Sequence, residues 1–393
     1  MIAPLSVSRV EDAGETLVLY SRLAFYPVHW LALESLVARY RVRALVLAAL
    51  SPRLPSVHEQ LGTADPSRAA GLPIEVRRMP QGSRRGRLAW LARQLRGIRP
   101  DAVWVQEEPI DPFLLEILAL YRFQRRTRIV AAVCENIFPQ PPLPERLARR
   151  LLWPRLDGLI AVATASIEGI RAAGMPDSVP AWTLVAGALE PEGEVEPLPL
   201  PFERRDGDFV VGFAGSLIER KGWRVLVRAI ERLPAEFRLL VAGDGPHLGE
   251  LQALAASAGL AGRVFYVGLL PKERLWGFYR ALDCLVVPSL TTERWKEQFG
   301  GVIADGMVMG LPIVGSSSGA IPEVLGPAGL VVPEGDEQAL AAALLRLRDD
   351  PGLRARLAAA GPPRFRQEFA IAAYAGKIAN ALGLRPRPLA SAG

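Results

Sequence analysis

Short apolar runs alternate with longer stretches of helical period along almost the whole chain. The runs "FVVGFAG" and "DCLVVP" are apolar throughout, not at every second residue. A strand buried on both faces reads this way, and a parallel sheet covered by helices on each side buries strands so. In the first half the runs are Thr16–Tyr20, Arg43–Leu47, Pro73–Arg77, Asp101–Val105, Thr127–Val133 and Asp157–Val162. In the second half they are Phe209–Ala214, Phe237–Ala242, Arg263–Val267, Asp283–Val287, Pro312–Val314 and Gly329–Val332. The expected fold class is therefore α/β, with doubly wound parallel sheets.

The alternation breaks once, at "AGALEPEGEVEPLPLPFERRDGD" (Ala186–Asp208), which is rich in Pro and Glu and has no helical period. We place a first domain at 1–190, a linker at 191–208, a second domain at 209–365 and a terminal segment at 366–393. The string "RFRQEFAIAAYAGKIANALGL" in that last segment reads as a final helix. A length of 393 residues suits two or three domains. Two doubly wound domains facing each other leave a cleft, with strand carboxyl ends and helix N-termini pointing into it.

Composition narrows the function classes. Half of the residues are hydrophobic and 22% are charged, which excludes global disorder. Cys134 and Cys284 stand 150 positions apart, so they form neither a disulfide framework nor a metal-binding CxxC pair, and a reducing compartment is expected. Three histidines (His29, His58, His247) argue against a His-rich metal centre. There is no apolar run of about 18 residues, so no membrane span is expected. The opening "MIAPLSVSRVEDAGE" carries acids early and lacks a signal-peptide apolar core.

The positive charge is one-sided. Residues 1–190 hold 24 Arg against 18 Asp and Glu, which accounts for the whole net charge of +6. A basic half favours anionic partners, although an Arg-rich composition with four lysines in all is a competing explanation. "RRGRLAWLARQLRG" (Arg84–Gly97) puts Leu88, Leu91 and Leu95 on one stripe, and "PERLARRLLWPRLDG" (Pro144–Gly158) mixes Leu, Trp153 and Arg similarly. Such faces can lie on an anionic membrane, or they can be helices packed on the first sheet with a basic outer side. No nucleic-acid recognition module or regular aromatic interleaving is found, so no nucleic-acid partner is expected.

Four segments of the second half fall at strand ends. In "GFAGSLIERKGW", Gly215 and Ser216 follow a strand, and Arg220, Lys221 and Gly222 open a helix. Such glycines let backbone approach an anion, and the two cations can neutralise a diphosphate; an ordinary turn with solvated charges is the alternative. "VAGDGP" (Val241–Pro246) is a tight turn, not a dinucleotide-binding GxGxxG. In "ERWKEQFGGVIADGMVMGLPIVGS", Glu297 lies in a loop and Gly300 and Gly301 open a helix that carries Asp305. Free N–H groups at that helix start suit an anion, and two carboxylates around a glycine pair suit a polyol such as a sugar or a ribose. An unpaired acid inside that apolar helix is costly, which points to a ligand or a partner for Asp305. In "SSSGAIPEVLG", Pro322 and Glu323 open a helix, and N-capping explains them as well as a site does.

"GSLIERKG", "VAGDGP", "VGLLPKERLWGFYRALDCLVVPS" and "EQFGGVIADGMVMGLPIVGSSSGAIPEVLG" resemble retaining glycosyltransferases of family 4 over nearly all of 209–365. "DAVWVQEEPIDPFLLEILAL" and "ENIFPQPPLPERLARRLLWPRLDGLIAVA" extend the resemblance, more weakly, into the first half. The resemblance implies the GT-B fold: two Rossmann-like domains across a cleft, with a final helix crossing back to the first domain. It implies sugar transfer from a nucleotide-sugar to an acceptor hydroxyl with retained configuration. Arg220 and Lys221 would stabilise the leaving diphosphate without a metal, and no cofactor is implied. Glu297 would hold sugar hydroxyls, Asp305 the ribose hydroxyls, and Gly215, Ser216, Phe299, Gly300 and Gly301 would face the donor.

The sequence departs from the family pattern at three places: Asp305 replaces a second Glu, Ser216 replaces a common Arg, and "VQEEP" replaces a loop histidine. Glu107 takes the histidine's place with Glu108 beside it, candidates for acceptor or donor hydroxyls with a polar loop as the alternative, and His29 and Trp30 in "YSRLAFYPVHW" are candidates for acceptor contact and equally for packing. The resemblance implies a nucleotide-sugar donor and a glycan or lipid-linked acceptor as partners, and the basic strings of the first domain add an anionic membrane surface. The implied place is the cytoplasm or the inner face of its membrane, in surface polysaccharide or glycolipid synthesis. Two alternatives stay open: a catalytically weak nucleotide-sugar-binding relative, and a basic lipid-surface or nucleic-acid binding module. "DGD" (Asp206–Asp208) matches a metal-holding string of another glycosyltransferase fold but closes the linker, where a solvated turn explains it.

Overall fold

A computed structural model describes residues 14–21, 27–40, 42–48, 71–80, 82–138, 141–184 and 187–386. The acidic opening segment, the middle of "YSRLAFYPVHW", His58 and the first residue of the Pro/Glu-rich stretch lie outside the described residues.

The first domain runs β1 (Glu15–Ser21), α1 (Pro27–Arg39), β2 (Val42–Ala48), β3 (Ile74–Arg78), α2 (Arg84–Leu95), β4 (Ala102–Gln106), α3 (Pro112–Leu120), β5 (Arg128–Val133), α4 (Leu143–Leu152), β6 (Gly158–Ala161), α5 (Thr164–Ala172) and β7 (Ala181–Thr183). Its seven strands are parallel in the order β3-β2-β1-β4-β5-β6-β7. Leu17 and Leu19 of β1 face one layer with Trp30 and Leu33, while Val18 and Tyr20 face the other with Leu114 and Ile117. Both faces are covered, which is why Leu17–Tyr20 and Ala102–Val105 are apolar at every position.

The second domain runs β8 (Phe209–Ala214), α6 (Trp223–Glu231), β9 (Phe237–Ala242), α7 (Leu248–Ser257), β10 (Val264–Gly268), α8 (Lys272–Arg280), β11 (Cys284–Val287), α9 (Gly301–Val308), β12 (Ile313–Ser316), α10 (Ile321–Leu325), β13 (Gly329–Val332), α11 (Glu337–Asp349) and α12 (Pro351–Glu368). Its six strands are parallel in the order β10-β9-β8-β11-β12-β13. Strand order reverses direction at β1/β4 in one sheet and at β8/β11 in the other. Ligands of open α/β sheets bind at such switch points, outside the strand carboxyl ends. The molecule is thus α/β with two Rossmann-like parallel-sheet domains, the GT-B arrangement. Every expected strand forms within two residues of its expected ends. β7 is the one described strand that the apolar pattern did not announce.

The chain passes between the domains twice. The stretch after Ala188 forms no helix or strand but lies against the second domain: Leu198 N–H donates to Gly277 O at 2.8 Å, and Phe202 packs on Phe265 at 4.6 Å between centroids. The return crossing follows α12, and Ala188 N–H donates to Phe369 O at 2.8 Å, so the two crossings are tied together. The last helix, α13 (Ile371–Leu382), then packs on the first domain, with Tyr374, Ala375 and Ile378 in the core of Leu17, Leu19 and Trp30.

Candidate active site

β8 ends at Ala214, and Gly215 and Ser216 turn the chain away from the sheet toward Arg220 and Lys221. Gly222 follows with φ +70°, and a Cβ there would sit 1.8 Å from Pro288 O, so only glycine lets this turn lie against the end of β11. This contact brings the β8 loop onto the β11 loop and sets Lys221 against Glu297. Lys221 Nζ lies 2.7 Å from Glu297 Oε2, and Ser289 Oγ–H donates to the same oxygen at 2.6 Å. Glu297 is 5% exposed. A carboxylate so enclosed needs both partners, because an unpaired buried charge is strongly disfavoured.

These groups face a pocket of about 190 Å³, lined by Gly215, Ser216, Lys221, Ser289, Glu297 and Gly300 among others. Gly301 and Val302, which start α9, also stand in its wall. The first N–H groups of a helix have no intrahelical acceptor, so this wall can receive an anion. The pocket therefore joins an ammonium, a helix start, a hydroxyl and a carboxylate at the β8/β11 switch point. Such a set can hold a negatively charged group at one end and hydroxyls at the other.

The other expected donor residues lie just outside this wall. The Arg220 guanidinium stacks over the Trp295 ring at 4.6 Å, and Lys221 Nζ lies 4.9 Å from the same ring. The Phe299 ring turns toward Phe369, 5.9 Å between centroids, so its side chain faces the chain crossing. Asp305 is not brought to the pocket wall with Glu297. Its Oδ1 lies 2.6 Å from Lys272 Nζ, and its Oδ2 accepts from Tyr279 O–H at 3.1 Å. Burial, and then the charge of Asp305, push the Tyr279 phenol well above its ordinary range. The acid inside the apolar helix thus has protein partners, one of the two outcomes that its burial cost required.

Of the first-domain candidates, Glu107 and Glu108 follow the carboxyl end of β4, and His29 stands on α1. Glu108 Oε1 accepts from Cys134 N–H at 2.8 Å and Glu135 N–H at 3.0 Å, which ties the loop after β4 to the loop after β5. Its Oε2 is buried without a hydrogen-bond partner. Burial raises this carboxyl to about 7, only partly offset by the two N–H donors. Glu107 is buried beside it. His29 Nδ1 lies 3.1 Å from Gln106 Nε2, and burial pulls the imidazole down to about 4, so it is neutral near pH 7.

Residues that sequence reasoning passed over complete the site. Asn136, in the loop after β5, donates from Nδ2 to Glu297 O at 3.2 Å across the domain boundary. Ser166 Oγ–H donates to Asn136 Oδ1 at 2.5 Å. A second tie joins Thr164 N–H to Glu323 Oε2 at 2.9 Å. Ser289 was detectable as the polar residue that ends a central strand at a switch point, and Trp295 stood in a string already singled out. Asn136, Lys272 and Tyr279 also stand in quoted strings, but nothing in those strings marks what they pair with. Asp208 of "DGD" accepts from Arg205 N–H at 2.9 Å and pairs with Arg238, and no cluster of three or more metal-ligating side chains occurs among the described residues.

Residues 208–350 match the family model described as Glycosyl transferases group 1. The chain is 32% identical over 208 residues to a 2-deoxystreptamine glucosyltransferase of Streptomyces kanamyceticus, covering 51% of each chain. It is 36% identical over 163 residues to the lipopolysaccharide core biosynthesis glycosyltransferase LpsD of Rhizobium meliloti, covering 41% of this chain and 45% of that one. The chain thus spans about half the length of the curated relatives it matches. Its fold is similar to that of Anabaena Alr3699/HepE, solved in complex with UDP, with a TM-score of 0.69 at 19% identity over 94% of this chain and 99% of that one.

Proposed function

We propose that the chain, whose residues 208–350 match the Glycosyl transferases group 1 family model, transfers a sugar from a nucleoside-diphosphate sugar to an acceptor hydroxyl, with the anomeric configuration retained. The observation that carries this reading is the Lys221–Glu297 contact of 2.7 Å inside the switch-point pocket. The bond from the sugar to the diphosphate breaks, and its electron pair leaves on phosphate oxygen. Lys221, Arg220 and the start of α9 meet that charge, with no metal assigned. Removing one such group costs about 100- to 1000-fold in rate. Glu297 accepts hydrogen bonds from sugar hydroxyls, with Ser289 and Lys221 fixing its orientation. A carboxylate has about four acceptor positions. Asp305, already holding Lys272 and Tyr279, keeps capacity for a ribose hydroxyl. Glu107, Glu108 and His29 shape the acceptor side.

Similarity to the lipopolysaccharide core glycosyltransferase LpsD supports a glycan or glycolipid product, whereas similarity to a 2-deoxystreptamine glucosyltransferase supports a small cyclitol acceptor; we assign the chain to the former class of synthesis. A second reading, a sugar-nucleotide-binding relative of weak activity, is favoured by the engagement of both Asp305 oxygens within the protein. A screen of UDP-, GDP- and ADP-sugars by thermal shift, followed by turnover with the stabilising donor, separates the two. A donor at 100 times its dissociation constant stabilises the folded state by about 2.7 kcal/mol. Stabilisation with turnover supports transfer, stabilisation alone selects the second reading, and no response to any donor overturns both.

A further inference from the structure

The two basic stripes of the first domain meet different fates. In α2 (Arg84–Leu95), Leu91 and Leu95 are buried against the sheet, so that stripe is core; Arg84, Arg85 and Arg93 form a solvated outer side, while Arg87 packs over the Phe113 ring. In α4 (Leu143–Leu152) the opposite holds. Arg149 and the following Trp153 are buried, while Leu143, Leu147 and Leu151 are 64%, 60% and 59% exposed. Those three leucines stand four residues apart, so they share one face of the helix.

The face does not end with the helix. Arg155, just beyond it, donates to Tyr121 O at 3.1 Å, Gln124 O at 2.8 Å and Thr127 O at 2.6 Å. These bonds pin the turn after α3 against the end of α4. That turn carries Phe123, 88% exposed, and follows Leu120, also exposed. Five exposed arginines accompany these apolar side chains: Arg122, Arg125 and Arg126 on the turn, and Arg146 and Arg150 on α4. The acids of the same elements are Glu116 and Glu145, both half-buried, and Glu145 is spent on Arg149 at 2.6 Å.

We infer that Leu143, Leu147, Leu151 and Phe123, ringed by these arginines, dock the first domain on an anionic lipid bilayer. Leucine and phenylalanine reach the acyl boundary while arginines meet lipid phosphates, and neither element alone gives stable attachment. No described helix is long and apolar enough to cross a membrane, so the attachment is peripheral at this face. α4 begins seven residues after Asn136, which touches the Glu297 loop.

The test is co-sedimentation of the full chain with phosphatidylcholine vesicles, with and without phosphatidylglycerol. The chain is expected to pellet with the anionic vesicles only, and less as salt rises. Leu147→Asp with Leu151→Asp is expected to lower partitioning about tenfold or more, and Arg146→Glu with Arg150→Glu to do the same. These positions are exposed, so unchanged far-UV dichroism and melting temperature are expected in both variants. Donor-induced stabilisation is also expected to stay as in the parent, so this test and that of sugar transfer fail separately. Absence of pelleting with anionic vesicles, equal pelleting with both, or no effect of either variant overturns the proposal. An oligomer in solution that the leucine variant dissociates overturns it too, by showing a second copy on this face.

Discussion

The side-chain amide of Asn136 hydrogen-bonds the backbone carbonyl of Glu297, 3.2 Å away and 161 positions along the chain. Ala320 N–H donates to that same carbonyl at 2.9 Å. The loop that aims the Glu297 carboxylate is therefore held from both domains, and any opening of the cleft at this point breaks one of its two bonds.

Asn136→Ala removes a buried donor and leaves the Ser166 hydroxyl without its acceptor. A loss of about 1–3 kcal/mol in stability is expected. In kinetics, kcat falls more than donor affinity, because Glu297 loses position while the pocket wall remains. Steady-state rates with donor titration, alongside chemical denaturation, read both.

The Lys221–Glu297 pair allows a double-mutant cycle. Lys221→Ala leaves a buried carboxylate without its cation, which costs about 3–5 kcal/mol. Glu297→Ala leaves Lys221 at the partly exposed end of the pair and costs less. The double variant is expected to be more stable than Lys221→Ala alone, with turnover lowered about 100-fold or more in all three. Additive losses in denaturation midpoints would falsify a coupled pair.

Gly319 lies at φ +53°, and a Cβ there would approach Glu297 O to 2.1 Å. Gly319→Ala therefore strains the backbone and pushes the Glu297 loop at once. A destabilisation of about 2–4 kcal/mol is expected, with loss of donor-induced thermal stabilisation. A variant that melts like the parent and binds donor would show that the loop relaxes freely.

Glu108 makes stability depend on pH. Its carboxyl is raised to about 7 in the folded chain, against an ordinary value near 4.5. A raised folded value means that the neutral acid is the favoured folded form. Its contribution is full below about pH 4.5 and is lost as pH rises through 7. His29, lowered to about 4, acts the other way and loses stability as pH falls below its ordinary 6.5. Glu108→Gln keeps the acceptor for Cys134 N–H and Glu135 N–H and removes the ionisation. It is expected to stabilise the protein above pH 7 by on the order of 1–3 kcal/mol, and little at pH 5. The difference in melting temperature between variant and parent across pH 5–8 isolates Glu108 from His29.

Local chemistry was enough to read the layout. The strand Phe209–Ala214 was legible to the residue because burial on both faces demands apolar side chains at every position. The loop residues Gly215, Lys221, Glu297 and Gly300 were legible because strand carboxyl ends in doubly wound sheets converge on one cleft. Ala181–Thr183 was missed because a three-residue edge strand with Trp182 exposed carries too little pattern.

The remainder was decided only in three dimensions. Nothing near Asp305 in the chain announces Lys272 or Tyr279, and nothing near Glu297 announces Asn136. Leu91 and Leu147 sit in similar basic amphipathic strings, yet one is core and the other faces solvent. Periodicity tells which residues share a face, but the neighbour that covers that face arrives from elsewhere in the chain. Side-chain pairing and exposure depend on contacts between distant segments, and those exist only once both sheets and the two crossings have been packed.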